Sequence, residues 1–322
     1  MLEAYISDPV NNLSDNSVAA YRSAVRTMVE PTIGRIPYDQ LQPWDVSAAY
    51  RTLLAPRTGK RLSPKTVRLM HSLLKVAYGK WRHVIGYNVM LEVPAPKVKP
   101  GEPFALSELD ADGLSRAMVS AMSSHDATGA NIARRTEAMA VFLALHTGMR
   151  VGEVCGLQRR DWRRSLHDIH VAGQAVEKPS LHRQPFTKGK RSRNVSIPPA
   201  VEAQLERHLA WQDTWLVRKG PAAPLITFGP ARGLARPSTV TARFKAIARE
   251  LELPGETVFH TLRHTHATWL LTHGWDMRLV QERLGHANVK TTLEIYGSVL
   301  PGRDREAAAA FTDSIYGGDM DG

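Results

Sequence analysis

Residues 259–299 read FHTLRHTHATWLLTHGWDMRLVQERLGHANVKTTLEIYGSV. His260, Arg263, His286 and Tyr296 lie within this run, and Arg150 in TGMRVGEV and Lys188 in KGKRSR complete a set of six. Guanidinium forks bind phosphate oxygens in pairs, and histidines hydrogen-bond them and carry protons. An ammonium can protonate a leaving oxygen, and a tyrosine hydroxyl can attack phosphorus. These are the residue types needed to break and rejoin a phosphodiester through a covalent protein–DNA bond without a metal. The periodicity of the run predicts helices over about 260–272, 277–284 and 289–298.

Outward from this run, turn and apolar signals predict further helices at about 107–122, 134–146, 199–217, 237–251 and 303–315. Residues 169–176 and 184–197 alternate well enough for a small antiparallel sheet, with residues 188–193 at its turn. Upstream, VPAPKVKPGEP at 93–103 has four prolines and no periodicity, and reads as a stiff linker. The chain of 322 residues is long enough for two domains, expected at 1–95 and 104–322 and joined by 96–103.

The first hundred residues predict helices over 17–30, from Pro43 to about Leu54, and from Pro64 with Ser63 as N-cap. That third helix turns Val67, Met70, Leu74, Ala77 and Trp81 toward a core. Lys65, Arg68, Lys75 and Arg82 form a second stripe at the same spacing, with Ser72 and Gly79 completing the row. Charge segregates with it: residues 51–100 hold eleven Lys/Arg against Glu92, whereas residues 1–50 hold three against six Asp/Glu. The whole chain carries +11 with a pI near 9.9. A cationic face without acidic partners suits a polyanion, and its helical spacing suits a groove of duplex DNA.

Apolar residues make up 43% of the chain, as in ordinary globular proteins, and no apolar run reaches membrane-span length. No secretory signal precedes residue 20, and the single cysteine, Cys155, reads as a small buried side chain in a reducing cytoplasm. His260, His264 and His266 crowd together, but no carboxylate or cysteine set at ligand spacing accompanies them. His264 and His266 are expected to pack against helix faces, and no metal or cofactor is expected.

The strings HTLRHT, LGHAN, TTLEIY and TGMRVGEV, in this order, resemble the signature of the tyrosine recombinases, the phage integrase family. The resemblance covers most of 104–300, and more weakly the N-terminal hundred residues. It implies a mainly α, two-domain fold: a helical core-binding, SAM-like domain, then an α+β catalytic domain with a small antiparallel sheet. It implies Arg150 and Arg263 as phosphate clamp, His260 and His286 as hydrogen-bonding and proton-transfer groups, Lys188 as general acid and Tyr296 as nucleophile. Glu153 would support the Arg150 fork.

Lys190 is an alternative to Lys188, because KGK reaches Pro198 later than in many relatives, and Tyr316 is the other exposed-type tyrosine. Arg191 and Arg193 are expected at phosphates. Ser298 stands where the family often has histidine. The implied function is site-specific recombination or integration of a mobile element through a 3′-phosphotyrosyl bond and a four-way junction. Four protomers would assemble on two DNA sites, with the helix near Ala307–Phe311 docking on a neighbour and a possible DNA-bending or directionality factor assisting. The protein would be cytoplasmic, nucleoid-associated or phage-encoded. A type IB-like topoisomerase or resolvase would share this chemistry, and a DNA-binding accessory protein would have lost it. Beginning at a core-binding domain, the chain would be a simpler recombinase or a fragment.

Overall fold

A computed structural model of the chain describes residues 1–55, 62–98, 104–185, 192–231 and 233–285. It divides into two compact units, Met1–Gly101 and Glu102–Gly322.

The first unit is helical: α1 (Leu2–Ser7), α2 (Asp15–Ala24), α3 (Pro43–Leu54), α4 (Pro64–Lys80) and α5 (Arg82–Ile85). Ser14 caps α2, which begins two residues ahead of the expected start, and the helix widens into a π-turn over Val25–Val29. The turn is closed by Glu30 N–H donating to the Val25 carbonyl at 2.9 Å. Ser63 caps α4 by accepting from Thr66 N–H at 3.1 Å, and Pro64, which has no N–H to satisfy, begins it. Val67, Met70, Leu74 and Ala77 are buried as expected, joined by His71, Leu73 and Tyr78.

Two expectations for α4 are corrected. Trp81 does not extend the core stripe: its backbone (φ −92°, ψ 9°) ends α4, and its ring is only partly covered. Arg82 therefore opens the separate α5 and does not continue the row of Lys65, Arg68 and Lys75.

The second unit is built around α7 (Gly129–Thr147), preceded by α6 (Glu108–Ala121). α7 is buried nearly all round, from Ile132 to Thr147, because it is the central element. α6, α8 (Val151–Cys155), α9 (Pro199–Gln212), α10 (Pro237–Glu250) and α11 (Phe259–Thr272) all pack against it, and α12 (Met277–Leu284) packs on α11. The core joins Met139 and Leu143 of α7 to Val154, Ile169, Val195 and Phe244.

α7 begins five residues earlier than its apolar run, where Thr128 caps it by accepting from Asn131 N–H. α9 stops at Gln212, short of the expected 217. Among the described residues no helix is long and apolar enough to cross a membrane.

The small antiparallel sheet is present, but not as one hairpin. β1 (Trp162–Arg163), β2 (Asp168–Val171) and β5 (Arg193–Ser196) form a three-stranded sheet in the order β1-β2-β5, pairing Ile169 with Val195 and Val171 with Arg193. Between β2 and β5, β3 (Gln174–Val176) and β4 (His182–Gln184) form a separate ribbon, pairing Gln174 with Gln184. Residues 169–176 thus contribute to two strands, because the chain turns out of the first sheet after Val171 and doubles back on itself.

Candidate active site

Arg150 stands at the N-cap of α8, immediately after the turn that ends α7. That turn requires Gly148: its φ is +66°, and a Cβ there would lie 2.6 Å from Leu284 Cδ2 and 2.9 Å from His266 Cδ2. Glu153, three residues along α8, is fully buried. Its Oε2 accepts the Arg150 backbone N–H at 2.9 Å, as a carboxylate at the third position of a helix does, and its Oε1 accepts from Arg150 Nη1 at 2.9 Å.

The same carboxylate takes a second guanidinium. Arg193 Nη1 and Nη2 donate to Glu153 Oε1 and Oε2 at 3.0 and 2.8 Å. Burial alone would raise the Glu153 pKa, but the hydrogen bonds and charge of Arg193 and the charge of Arg150 outweigh it and bring it to about 2. Glu153 is therefore an anion that fixes two cations. Arg193, expected at a DNA phosphate, is corrected to an internal role: its side chain is 9% exposed, and its Nε donates to the Arg283 carbonyl at 2.7 Å.

Arg263 lies on the buried side of α11, 2% exposed. Its Nη1 donates to the Gly148 carbonyl at 2.8 Å and its Nη2 to the Leu284 carbonyl at 2.7 Å. It thus ties the turn before Arg150 to the end of α12. Arg150 Nη2 lies 3.5 Å from the Gly285 carbonyl, a marginal hydrogen bond at the same place. α12 ends at Gly285, whose φ of +65° favours glycine; a Cβ there would lie 2.9 Å from Arg193 Nη1.

His260, near the start of α11, is exposed. With Arg150, Gly152, Gln174, Thr241 and Val258 it lines an open cleft of about 380 Å³. The cleft is thus bordered by a guanidinium from the α8 N-cap and an imidazole from the α11 N-terminus. His264, one turn on, sets its ring edge-on to His260 at 4.7 Å, and burial and then the charge of Arg263 lower its pKa. His266 faces elsewhere, toward Leu145 and Arg283. Among the described residues no group of three His, Cys, Asp or Glu is placed to hold a metal ion. Cys155 is buried in the core, and burial pushes its thiol pKa up.

The structure therefore brings together Arg150, Glu153, His260 and Arg263. Lys188, Lys190, Arg191, His286, Tyr296 and Tyr316 lie outside the described residues, as do the expected helices at 289–298 and 303–315. His286 follows directly on Gly285 in the chain.

Sequence reasoning missed Arg283. Its Nη1 and Nη2 donate to the carbonyls of Ser196 and His146 at 3.1 and 3.4 Å, and its Nε donates to His266 Nε2 at 2.9 Å. A cation in the last turn of a helix, just before a terminal glycine, was the available signal.

In the first unit, Lys65, Arg68 and Lys75 are exposed and carry no ion pair among the described residues. The charges of Lys75 and Arg68 add to burial in lowering the pKa of His71 beneath them. The cation of α4 that is paired is Lys80, which holds Asp8.

Residues 114–302 match the family described as Phage integrase family. The chain is 33% identical over 165 residues to tyrosine recombinase XerD of Halalkalibacterium halodurans, an alignment covering 51% of this chain and 50% of the relative. It thus spans about half the length of that relative. It is 30% identical over 237 residues to tyrosine recombinase XerD of Lacticaseibacillus casei, covering 73% of this chain and 72% of the relative. In fold it is similar to the integrase of the Tn1549 transposon, solved in complex with transposon right-end DNA, with a TM-score of 0.75, 18% identity and 98% of each chain covered. The family match spans more than half of the chain and contains the arginine-bearing turn, the buried carboxylate and the Arg263 helix, and the chain belongs to the phage integrase family of tyrosine recombinases.

Proposed function

We propose that this protein is a site-specific DNA recombinase that cuts and rejoins strands of double-stranded DNA through Tyr296. The tyrosine oxygen gives its proton to His260 and forms a bond to the scissile phosphorus, the bond from phosphorus to the 5′-oxygen breaks, and that oxygen leaves with a proton from Lys188. The product is a 3′-phosphotyrosyl ester and a free 5′-hydroxyl. A 5′-hydroxyl of the partner duplex then reverses the step, so the energy of the broken bond is retained in the ester and neither nucleotide hydrolysis nor a metal is required. Arg150 and Arg263 carry the charge of the phosphate in flight, and His260 and His286 hydrogen-bond its oxygens.

The observation that carries this reading is the single turn region where Gly148, Leu284 and Gly285 meet. There Arg263 bridges two carbonyls and Arg150 is fixed by Glu153 at the edge of the His260 cleft. Two guanidiniums so preorganised suit a pentavalent phosphate better than a flexible ion pair would. Two duplexes present four strands, and one tyrosine per strand means four copies around a four-way junction. The expected docking of the helix near Ala307–Phe311 on a neighbouring copy fits such an assembly. This reading assigns the protein to the cytoplasm, as a bacterial, nucleoid-associated or phage-encoded recombinase. Lys65, Arg68 and Lys75 hold the DNA from the first unit.

The test is to trap the covalent adduct in excess EDTA and sequence the attached DNA. Wild type forms a 3′-linked adduct, and Tyr296→Phe forms none while still binding DNA. An adduct that persists in Tyr296→Phe and disappears in Tyr316→Phe reassigns the nucleophile, and a strict need for Mg²⁺ refutes the mechanism. Relaxed circles or sealed ends without exchanged strands identify a topoisomerase or resolvase, and binding without any adduct in the wild type identifies an accessory protein.

A further inference from the structure

The last two carbonyls of α12 and that of its terminal glycine each meet a different arginine. Arg193 Nε donates to the carbonyl of Arg283, Arg263 Nη2 to that of Leu284, and Arg150 Nη2 approaches that of Gly285. These carbonyls have no partner within the helix and form its negative end, so guanidiniums placed there bind both a vacant acceptor and the helix dipole. Arg283 completes the arrangement from the helix itself. Its side chain leaves α12 to reach the end of α7 at His146, the end of β5 at Ser196, and His266 on α11.

The Arg283–His266 contact prescribes a tautomer. His266 Nδ1 lies 3.0 Å from the Leu145 carbonyl and must carry the proton, so Nε2, 2.9 Å from the donor Arg283 Nε, must be the bare acceptor. A protonated ring would turn that acceptor into a donor facing a guanidinium. Burial, and then the charge of Arg283, keep the ring neutral.

We propose that Arg283, His266 and Arg193 are positioning residues for strand cleavage, which hold the end of α12 against α7, α11 and β5 and so set the register of Arg150 and Arg263. The proposal rests on the recombinase reading above. None of the three touches the phosphate: each acts through a group that does. Arg193 acts through Glu153 on Arg150, and Arg283, held by His266, acts through the Leu284 and Gly285 carbonyls on Arg263 and Arg150. A displacement of about an ångström in such groups costs on the order of 100-fold in rate while leaving affinity from the rest of the DNA interface intact.

The experiment measures single-turnover adduct formation at saturating DNA, using duplex recovered by covalent trapping, alongside DNA affinity and melting temperature. Arg283→Leu and His266→Phe are expected to slow cleavage by about 10- to 100-fold, with affinity changed less than about threefold. His266→Gln, whose amide oxygen can accept from Arg283, is expected to recover most of the rate. In the free wild type, the histidine nitrogen NMR shifts are expected to show His266 protonated at Nδ1 and bare at Nε2. Wild-type rates in Arg283→Leu and His266→Phe, equal losses of binding and cleavage, or a His266 protonated at Nε2 would each overturn the positioning role. A wild type that forms no adduct on any DNA overturns the recombinase reading instead, and the positioning role with it.

Discussion

The two units use arginine and lysine in opposite ways. On α4 of the first unit, Lys65, Arg68 and Lys75 stand exposed in a row without ion pairs among the described residues, so their charge is available but their geometry is loose. In the second unit, Arg150, Arg193, Arg263 and Arg283 are mostly covered, and their donors are directed at Glu153 and at backbone carbonyls. An exposed cation row attracts a polyanion over a Debye length and is weakened by salt. A buried guanidinium held at both ends is a fixed positive charge whose value depends on position to a fraction of an ångström. In the proposed recombinase, one region would supply attraction and the other alignment, so loss of charge and loss of geometry should be separable by mutation.

The largest effect should fall on the chemistry of the aligned region. Lys188→Ala should slow cleavage by orders of magnitude, and a substrate with sulfur in place of the leaving 5′-oxygen should restore it, because a thiolate leaves without a proton. Rescue seen with Lys190→Ala and not with Lys188→Ala would move the general acid by two residues.

Next in size is the buried anion. Glu153→Gln keeps the shape but leaves Arg150 and Arg193 without their counter-charge, a change that costs about 3 to 5 kcal/mol when a buried pair is broken. Chemical denaturation measures it, and a loss below about 1 kcal/mol would show that Glu153 anchors neither arginine.

Acid should reveal the same anchor. The pKa of Glu153 is held near 2 against an ordinary 4.5, so its contribution is complete above pH 4.5 and is lost as pH falls toward 2. His266 is held near 3 against an ordinary 6.5: the unfolded chain binds that proton first, so stability declines as pH falls from 6.5 toward 3. His266→Gln should flatten the upper part of this acid limb and Glu153→Gln the lower part. Acid unfolding curves identical to wild type in both variants would remove these groups from the cause.

The smallest effect on stability belongs to the exposed row. Changing Arg68 and Lys75 together to Ala should leave stability within about 0.5 kcal/mol. The salt dependence of DNA binding should flatten by up to about two units, roughly 0.9 for each phosphate no longer neutralised. An unchanged slope in the folded variant would make the row an ordinary solvated face.

What could be read from residues alone was the helical class of the first unit, the helix-rich second unit with its small sheet, and the family. These follow from local rules: Ser63 and Pro64 begin a helix wherever they stand, Val67, Met70 and Leu74 mark its buried face, and Gly285 ends one. The grouping of Arg150 with Arg263 was legible only through the family resemblance, since 113 positions separate them in the chain. Strand pairing was misread, because alternation over 169–176 cannot show that the chain leaves one sheet after Val171 and starts another.

Apart from Glu153 beside Arg150, three residues away in the chain, the partners of the arginines were decided by tertiary structure alone. Arg193 looked like a phosphate contact because it ends a basic run, and it became internal because β5 pairs with β2 and brings it beside Glu153. Arg283, which the sequence did not single out, takes its role from the ends of α7 and β5 and from α11, which converge on it. The physical reason is one of reach. Propensity and periodicity act within about a turn of helix or a few residues of strand, whereas a guanidinium takes its role from whichever carbonyls and carboxylates the folded chain delivers to it.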